Sequence, residues 1–231
     1  MNTAPAEFLE WDSHFFGVRI GRVHPGPLIP EVVEAWRREH HIRCLYYLAE
    51  LSDTPSIHAA QDLGFHYMDI RTTFFTSLPV LSEFKSSYSI RRAVSEDLPN
   101  LCQLTTGSFI HSRFYNDPHF SREKCDQLYA IWVEKQLQQT DAIVWVSEDG
   151  TGLTGFVTVI DLSPVRTSIS LIGIATHMRG KGLGRTLVNH VLRDSGDRGM
   201  TEFEVVTQAS NSGAMKLNQS CGMKVALQQI W

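Results

Sequence analysis

Residues 168–184 read SISLIGIATHMRGKGLG, and the way this stretch divides decides the fold. An apolar, β-branched run (Ile169, Leu171, Ile172, Ile174) stops at Ala175-Thr176 and predicts a strand. A basic, glycine-studded loop follows, Arg179-Gly180-Lys181-Gly182-Leu183-Gly184. From Arg185 to Arg193 the apolar residues Leu187, Val188, Val191 and Leu192 recur at helical spacing, with Leu183 on the same stripe. Glycines let the backbone approach a ligand and take positive φ, and a helix start offers unpaired N–H groups with a partial positive charge. The arrangement suits a phosphate or pyrophosphate, and Arg179, Lys181 and Arg185 add charge around it. An ordinary glycine-rich turn between strand and helix has the same local pattern.

Two familiar nucleotide loops do not fit. The P-loop needs a Gly-Lys-Ser/Thr that is absent here. The dinucleotide pattern G-x-G-x-x-G finds Leu187 where its third glycine or alanine belongs. The stretch does fit R-x-x-G-x-G, at Arg179, Gly182 and Gly184.

The bulk properties set the limits. A chain of 231 residues holds one large domain or two small ones. Hydrophobic residues at 42% and charged residues at 20% predict a packed soluble fold. The net charge of −4 disfavours a general nucleic-acid binder, while leaving room for a local basic site. The N-terminus MNTAPAEFLEWD has neither the basic nor the apolar region of a signal peptide, and no apolar run is long enough to span a membrane, so a cytoplasmic protein without a membrane partner is expected. Cys44, Cys102, Cys125 and Cys221 show no C-x-x-C spacing and read as reduced, mostly buried thiols. No HExxH or clustered Cys/His pair suggests a metal.

Outward from the central stretch, residues 17–24 read as a strand, 30–41 as a helix, 44–49 as a buried strand, 52–63 as a short helix ended by Gly64, and 65–78 as β-rich. Residues 79–87 resemble a linker. From Tyr88 the predicted order is β-α-α-β-β-β-α-β-α-β, with helices at 95–109 and 121–138, a hairpin turning at Asp149-Gly150, and a final helix from Ser212 to Cys221 before a last strand. Residues 110–120, IHSRFYNDPHF, form an aromatic and basic loop. Ser52–Phe65 weakly echoes Ser210–Met223: both follow a strand and end a helix at glycine.

The R-x-x-G-x-G loop after a strand resembles the coenzyme A pyrophosphate loop of the GNAT acyltransferase superfamily. Further stretches, WDSHFFGVRIGRV (11–23), QDLGF (61–65), HSRFYNDPHF with YAIWVEK (111–135) and TQASNSGAMK (207–216), resemble the bacterial dTDP-sugar N-acyltransferases of that superfamily, of the dTDP-fucosamine acetyltransferase type. The resemblance covers nearly the whole chain. It implies an α/β (α+β) GNAT fold with a mixed, mostly antiparallel central sheet flanked by helices. Residues 88–231 would form the acyl-CoA-binding domain, and residues 1–80 a smaller α/β unit, a partial GNAT repeat, on the sugar side. An acyl-CoA co-substrate, a nucleotide-linked amino sugar and a possible homodimer are implied with it.

Carried onto this sequence, the resemblance pairs the pantetheine arm with Leu171, Ile172, Gly173 and Ile174, with the Ile174 N–H as oxyanion donor. It sets the pyrophosphate against N–H groups between Arg179 and Arg185, and matches Asn211 to the asparagine that bonds the pantetheine arm. Asn211 also suits a helix cap. The family tyrosine that protonates the leaving thiolate falls on Asn218, which has no acidic proton. With a thiol pKa near 8.5, departure without an acid costs only about 2 kcal/mol at neutral pH, which is compatible with turnover.

The proton of the attacking amine would pass to a carboxylate, directly or through water. Asp69 lies near a family glutamate proposed for this. It also reads as a surface strand aspartate, and Asp161 and His111 are rivals. In the aromatic loop, His111 and Arg113 suit the substrate, Arg113 as a diphosphate ligand, with Phe114, Tyr115 and Phe120 able to stack on a base. The same loop also reads as a stiff connection with its aromatics packed inward. His40-His41 and Trp132 read as structure. The leading function is acyl transfer, of acetyl or a larger hydroxyacyl group, to the amine of a dTDP-linked amino-dideoxy sugar. Alternatives are another small amine or peptide N-terminus as acceptor, or a catalytically silent acyl-CoA-binding module.

Overall fold

The computed structural model describes residues 4–79 and 88–231, so most of the expected linker lies outside the described residues. The first part of the chain contains β1 (Ala6–Phe8), α1 (Glu10–Phe16), β2 (Ile20–Val23), α2 (Pro30–Glu39), β3 (Cys44–Tyr46), β4 (Ala49–Glu50), α3 (Thr54–Asp62) and β5 (Ile70–Ser77). The second part contains β6 (Ser89–Arg92), α4 (Leu98–Thr105), α5 (Arg113–Asn116), α6 (Arg122–Gln138), β7 (Ala142–Asp149), β8 (Gly152–Asp161), β9 (Arg166–Ile174), α7 (Leu183–Asp197), β10 (Glu202–Gln208), α8 (Ser212–Ser220) and β11 (Lys224–Ile230). The predicted order from Tyr88 holds, with α5 added inside the aromatic loop.

Two sheets form: a small one ordered β1-β2-β3, and an eight-stranded one ordered β4-β11-β5-β10-β9-β8-β7-β6. The large sheet is antiparallel except between β9 and β10. β5, from the N-terminal part, is paired with β10 from Glu202↔Ser77 to Gln208↔Arg71 on one side and with β11 on the other. β4 pairs with β11 as well. The expected division into residues 1–80 and 88–231 therefore does not separate the two sheets. The expected single strand at 44–49 is likewise two, β3 in the small sheet and β4 in the large one. The echo between the halves has a spatial counterpart. α3 and α8 each lead through a left-handed glycine, Gly64 (φ 81) and Gly222 (φ 82), towards strands β5 and β11, which lie side by side.

Local chemistry explains the main elements. Ser121 caps α6 by accepting from the Lys124 N–H at 3.2 Å, and Asp53 caps α3 by accepting from the Ser56 N–H at 3.2 Å. α7 buries Leu183, Leu187, Val188, Val191 and Leu192 against one face of the large sheet, with Val157, Ile169, Phe203 and Val205 beneath it. α4 and α6 cover the other face through Leu101, Tyr129 and Val133 packed on Val146, Phe156 and Leu171. A further apolar cluster of Ile20, Tyr46, Phe114, Phe120 and Leu128 binds the small sheet to α5 and α6.

Candidate active site

β9 and β10 pair from Arg166↔Glu202 only as far as Ile169↔Val205. Beyond that point both strands continue, β9 to Ile174 and β10 to Gln208, without pairing to each other. The result is a notch in the middle of the sheet with one free edge of β9 facing it. On its other edge β9 stays bonded to β8: the Ala175 N–H donates to the Thr154 carbonyl at 2.9 Å, and the Leu171 N–H to Thr158 Oγ1 at 2.9 Å. Because backbone groups alternate along a strand, Gly173 also faces β8, and Ile172 and Ile174 turn their N–H groups to the notch. Of the four residues expected to pair with pantetheine, Ile172 and Ile174 have the free groups. Leu171 and Gly173 do not. The glycine at 173 has a packing reason instead, since a Cβ there would sit 2.4 Å from the Phe156 ring.

At the end of β9 the chain turns into the basic loop. Gly180 (φ 76) and Gly182 (φ 85) are left-handed, and Gly182 is the N-cap of α7. Among the described residues no side chain caps this helix. Its ladder begins with the Thr186 N–H donating to the Gly182 carbonyl at 3.0 Å, which leaves the N–H groups of Leu183 and Gly184 ahead of it. Leu183 contributes only this N–H, because its side chain is fully buried. Arg179 and Lys181 are exposed here; the Arg179 Nε donates to the Ile174 carbonyl at 3.2 Å, and the Tyr88 hydroxyl to the Lys181 carbonyl at 2.6 Å. Gly184 lies close under α8, where a Cβ would be 3.3 Å from Leu217. This is a strand edge with free donors leading to an uncapped helix start, the arrangement needed for an extended arm ending in phosphates.

The far lip of the notch carries the other candidates. Asn211 is the N-cap of α8, its Oδ1 accepting from the Ala214 N–H at 3.0 Å. Asn218 is 3% exposed, the buried polar residue of that helix. Asp69 is no surface aspartate: it is 1% exposed. Its Oδ1 accepts from the Ile70 N–H at 2.7 Å and the Ser210 N–H at 3.4 Å. Its Oδ2 accepts from the Ser210 hydroxyl and from Asn116 Nδ2 at 3.4 Å. The carboxylate thus joins β5, the loop entering α8, and α5. Of its rivals, Asp161 is held by Arg198 at 2.7 Å at the opposite end of β9 from Ile174, and His111 is exposed on the loop.

A cavity of about 960 Å³ opens between the small sheet, α2, α3 and α5, and reaches Met68 and Trp231. Met68 is next to Asp69, and Asn116 Nδ2 donates to the Met68 carbonyl at 2.8 Å, so the inner end of the cavity adjoins the notch. Arg113 lines the cavity with its guanidinium stacked among rings, 4.1 Å from Phe114, 4.4 Å from Trp231 and 4.9 Å from Tyr46. It has no hydrogen-bond or ion-pair partner among the described residues, and its Nε is sealed from solvent. Burial pushes its pKa below the ordinary arginine value. The Trp231 Nε1 beside it is likewise unpartnered among the described residues, as is the Tyr46 hydroxyl.

The neighbouring aromatics differ from expectation. Phe114 is 2% exposed and packs against Phe16, Phe120 and Trp132, and the Tyr115 hydroxyl is bonded to Asp126 away from the cavity. Neither presents a face to a ligand. Tyr67 does: it lines the cavity and is 62% exposed. Nothing in the sequence singled it out, nor Tyr46 and Trp231. Ser210 lies within TQASNSGAMK, where its residue type alone does not mark it. Among the described residues no group of His, Cys, Asp and Glu is arranged to hold a metal, and no helix is long and apolar enough to cross a membrane.

Comparison with known proteins agrees with this geometry. Residues 108–223 match the model of the acetyltransferase (GNAT) family. The chain is 28% identical to a dTDP-fucosamine acetyltransferase of Escherichia coli O6:H1 over 99% of its own length and 97% of that protein's. It is 21% identical to the spore coat polysaccharide biosynthesis protein SpsD of Bacillus subtilis over 54% of this chain and 43% of that one. Among solved structures, a GCN5-related N-acetyltransferase from Sphaerobacter thermophilus superimposes with a TM-score of 0.68 at 19% identity, over 97% of this chain and 74% of that one. The notch, the uncapped helix start and the match over residues 108–223 lead to one conclusion: the chain belongs to the GNAT acetyltransferase family and is an acyl-CoA-dependent N-acyltransferase.

Proposed function

We propose that the acceptor is the amine of a nucleotide-linked amino sugar lying in the N-terminal cavity, with a dTDP-linked amino-dideoxy sugar as the leading case. The observation that carries this reading is Arg113. Its guanidinium is partly buried among rings with no acceptor beside it among the described residues, and an anionic guest in the cavity supplies one. A sugar diphosphate supplies the charge. Tyr67 at the exposed side offers the stacking face that Phe114 and Tyr115 lack. The sugar then extends towards Met68, which brings its amine to the notch. The alignment along the whole chain to a protein named dTDP-fucosamine acetyltransferase supports the same class.

In the notch, acyl-CoA lies along the free edge of β9, with its pyrophosphate at the start of α7 and its pantetheine arm beside Ile172, Ile174 and Asn211. The amine attacks the thioester carbonyl, the Ile174 N–H takes the developing oxyanion, and the C–S bond breaks. Thiol release measured with dTDP-3-amino and dTDP-4-amino sugars against acetyl-CoA and hydroxyacyl-CoA tests the assignment. Release that no amino sugar accelerates over the donor alone refutes it in favour of another amine or a silent acyl-CoA-binding module.

Asn218 bears on the acyl group. A carboxamide in place of a phenol leaves a donor, an acceptor and more room, which suits a chain larger or more polar than acetyl. In Asn218→Tyr, a regained acid worth about 2 kcal/mol competes with overpacking of roughly 1–3 kcal/mol at this buried position. The expected outcome is higher kcat/KM with acetyl-CoA and lower with hydroxyacyl-CoA. A donor preference that does not move towards acetyl removes Asn218 from the acyl pocket.

A further inference from the structure

The hydrogen bonds around Asp69 decide how a proton can reach it. The carboxylate is closed to solvent and has donors on both oxygens: the N–H groups of Ile70 and Ser210, the amide of Asn116, and the hydroxyl of Ser210. Three of these are amide N–H bonds, which do not give up a proton near neutral pH. Only the Ser210 O–H can. Ser210 itself is exposed. β10 ends at Gln208 and the chain turns at Ala209–Ser210, directly before the α8 cap Asn211, on the far lip of the notch from β9.

We propose that Ser210 is a catalytic proton relay, carrying the proton of the acceptor amine to the buried carboxylate of Asp69. The ammonium N–H bond breaks as its proton joins Ser210 Oγ, and the Ser210 O–H proton passes to Asp69 Oδ2. The amine, now neutral, forms the C–N bond to the thioester carbonyl carbon. Collapse of the intermediate breaks the C–S bond, the thiolate leaves, and the nitrogen gives up its second proton to solvent, which leaves the neutral amide. The proton on Asp69 returns through Ser210 to the thiolate or to water, which restores the hydroxyl and the carboxylate. The relay explains why a carboxylate this deeply buried sits beside the acyl-CoA cleft without touching it.

The relay belongs to acyl transfer to any basic amine, so two acceptors test it. With a dTDP-4-amino sugar, Ser210→Ala is expected to lower kcat by about 100-fold at pH 7, towards the low end for a lost general base, with CoA affinity unchanged. The deficit should shrink as pH rises and solvent deprotonates the amine. Ser210→Thr, which keeps a hydroxyl, should restore most of the rate. Asp69→Asn combined with Ser210→Ala should be no slower than the slower of the two single variants, because the two act as one unit. The second acceptor is hydroxylamine, a small amine already neutral at pH 7. It does not depend on the sugar assignment, and its acylation from acetyl-CoA should be nearly insensitive to Ser210→Ala. A pH-independent loss with both acceptors, additive effects in the double variant, or an unchanged rate with the sugar each overturn the relay. If the wild type turns over hydroxylamine but no amino sugar, the acceptor assignment fails. A basic small amine such as ethanolamine then takes the sugar's place in the comparison.

Discussion

Asp69→Asn will lower turnover on the amino sugar by about 10²–10⁴-fold at neutral pH, the range for removal of a general base. Asparagine has the shape of aspartate, and its amide can still meet the Ser210 hydroxyl, so the junction of β5, α5 and the loop entering α8 keeps its geometry. What disappears is the only proton acceptor of the group. Calorimetric CoA affinity should stay at the wild-type value, because no atom of Asp69 lies on the β9 edge or at the start of α7. Stability should fall by about 1–3 kcal/mol, the usual cost of a mismatched buried hydrogen-bond partner. The activity loss should close at high pH. A rate equal to wild type across pH would leave Asp69 as a joint and nothing more.

CoA binding will fall by well over tenfold in Gly182→Val, and the reason differs from simple crowding. A Cβ at Gly182 meets nothing within 4 Å, but the residue has φ 85, a conformation that a β-branched side chain resists. Valine moves the N-cap out of the left-handed region and re-aims the N–H groups of residues 183–185. Gly184→Val acts through packing, since its Cβ meets Leu217 at 3.3 Å and pushes α7 from α8. Titration calorimetry on variants with wild-type circular dichroism separates these causes from unfolding. Undiminished affinity in both folded variants would remove the pyrophosphate from this loop.

The part of the site written in one continuous stretch was legible. Residues 168–193 carry their strand, glycines and helix stripe within short range, and β9, Gly182 and α7 fall where periodicity and composition put them. Helix α1 was missed because it is only one to two turns long, buries no residue fully and begins at Leu9 with no capping side chain. The burial of Asp69 was illegible for another reason: its partners Asn116 and Ser210 lie 47 and 141 residues away in sequence. An aspartate next to a strand looks the same whether those partners arrive or not. Arg113 was visible as a charge in an aromatic loop. Which rings would hold it was not, since Tyr46 and Trp231 come from distant parts of the chain. Phe114 and Tyr115 show the limit from the other side, because composition names aromatics without saying which way they face.

The place of β5 between β10 and β11 has a consequence for how the chain comes off the ribosome. Residues 70–77 emerge well before both of their neighbours in the sheet, residues 202–208 and 224–230. Until then this segment is a strand with two unmatched edges, the kind of surface that invites pairing with other chains. Its closure depends on contacts of very long sequence separation, which are slow to form. The same late event lets the Trp231 N–H bond the Asp69 carbonyl at 2.9 Å, so the acceptor side of the enzyme is completed only as the last strand docks.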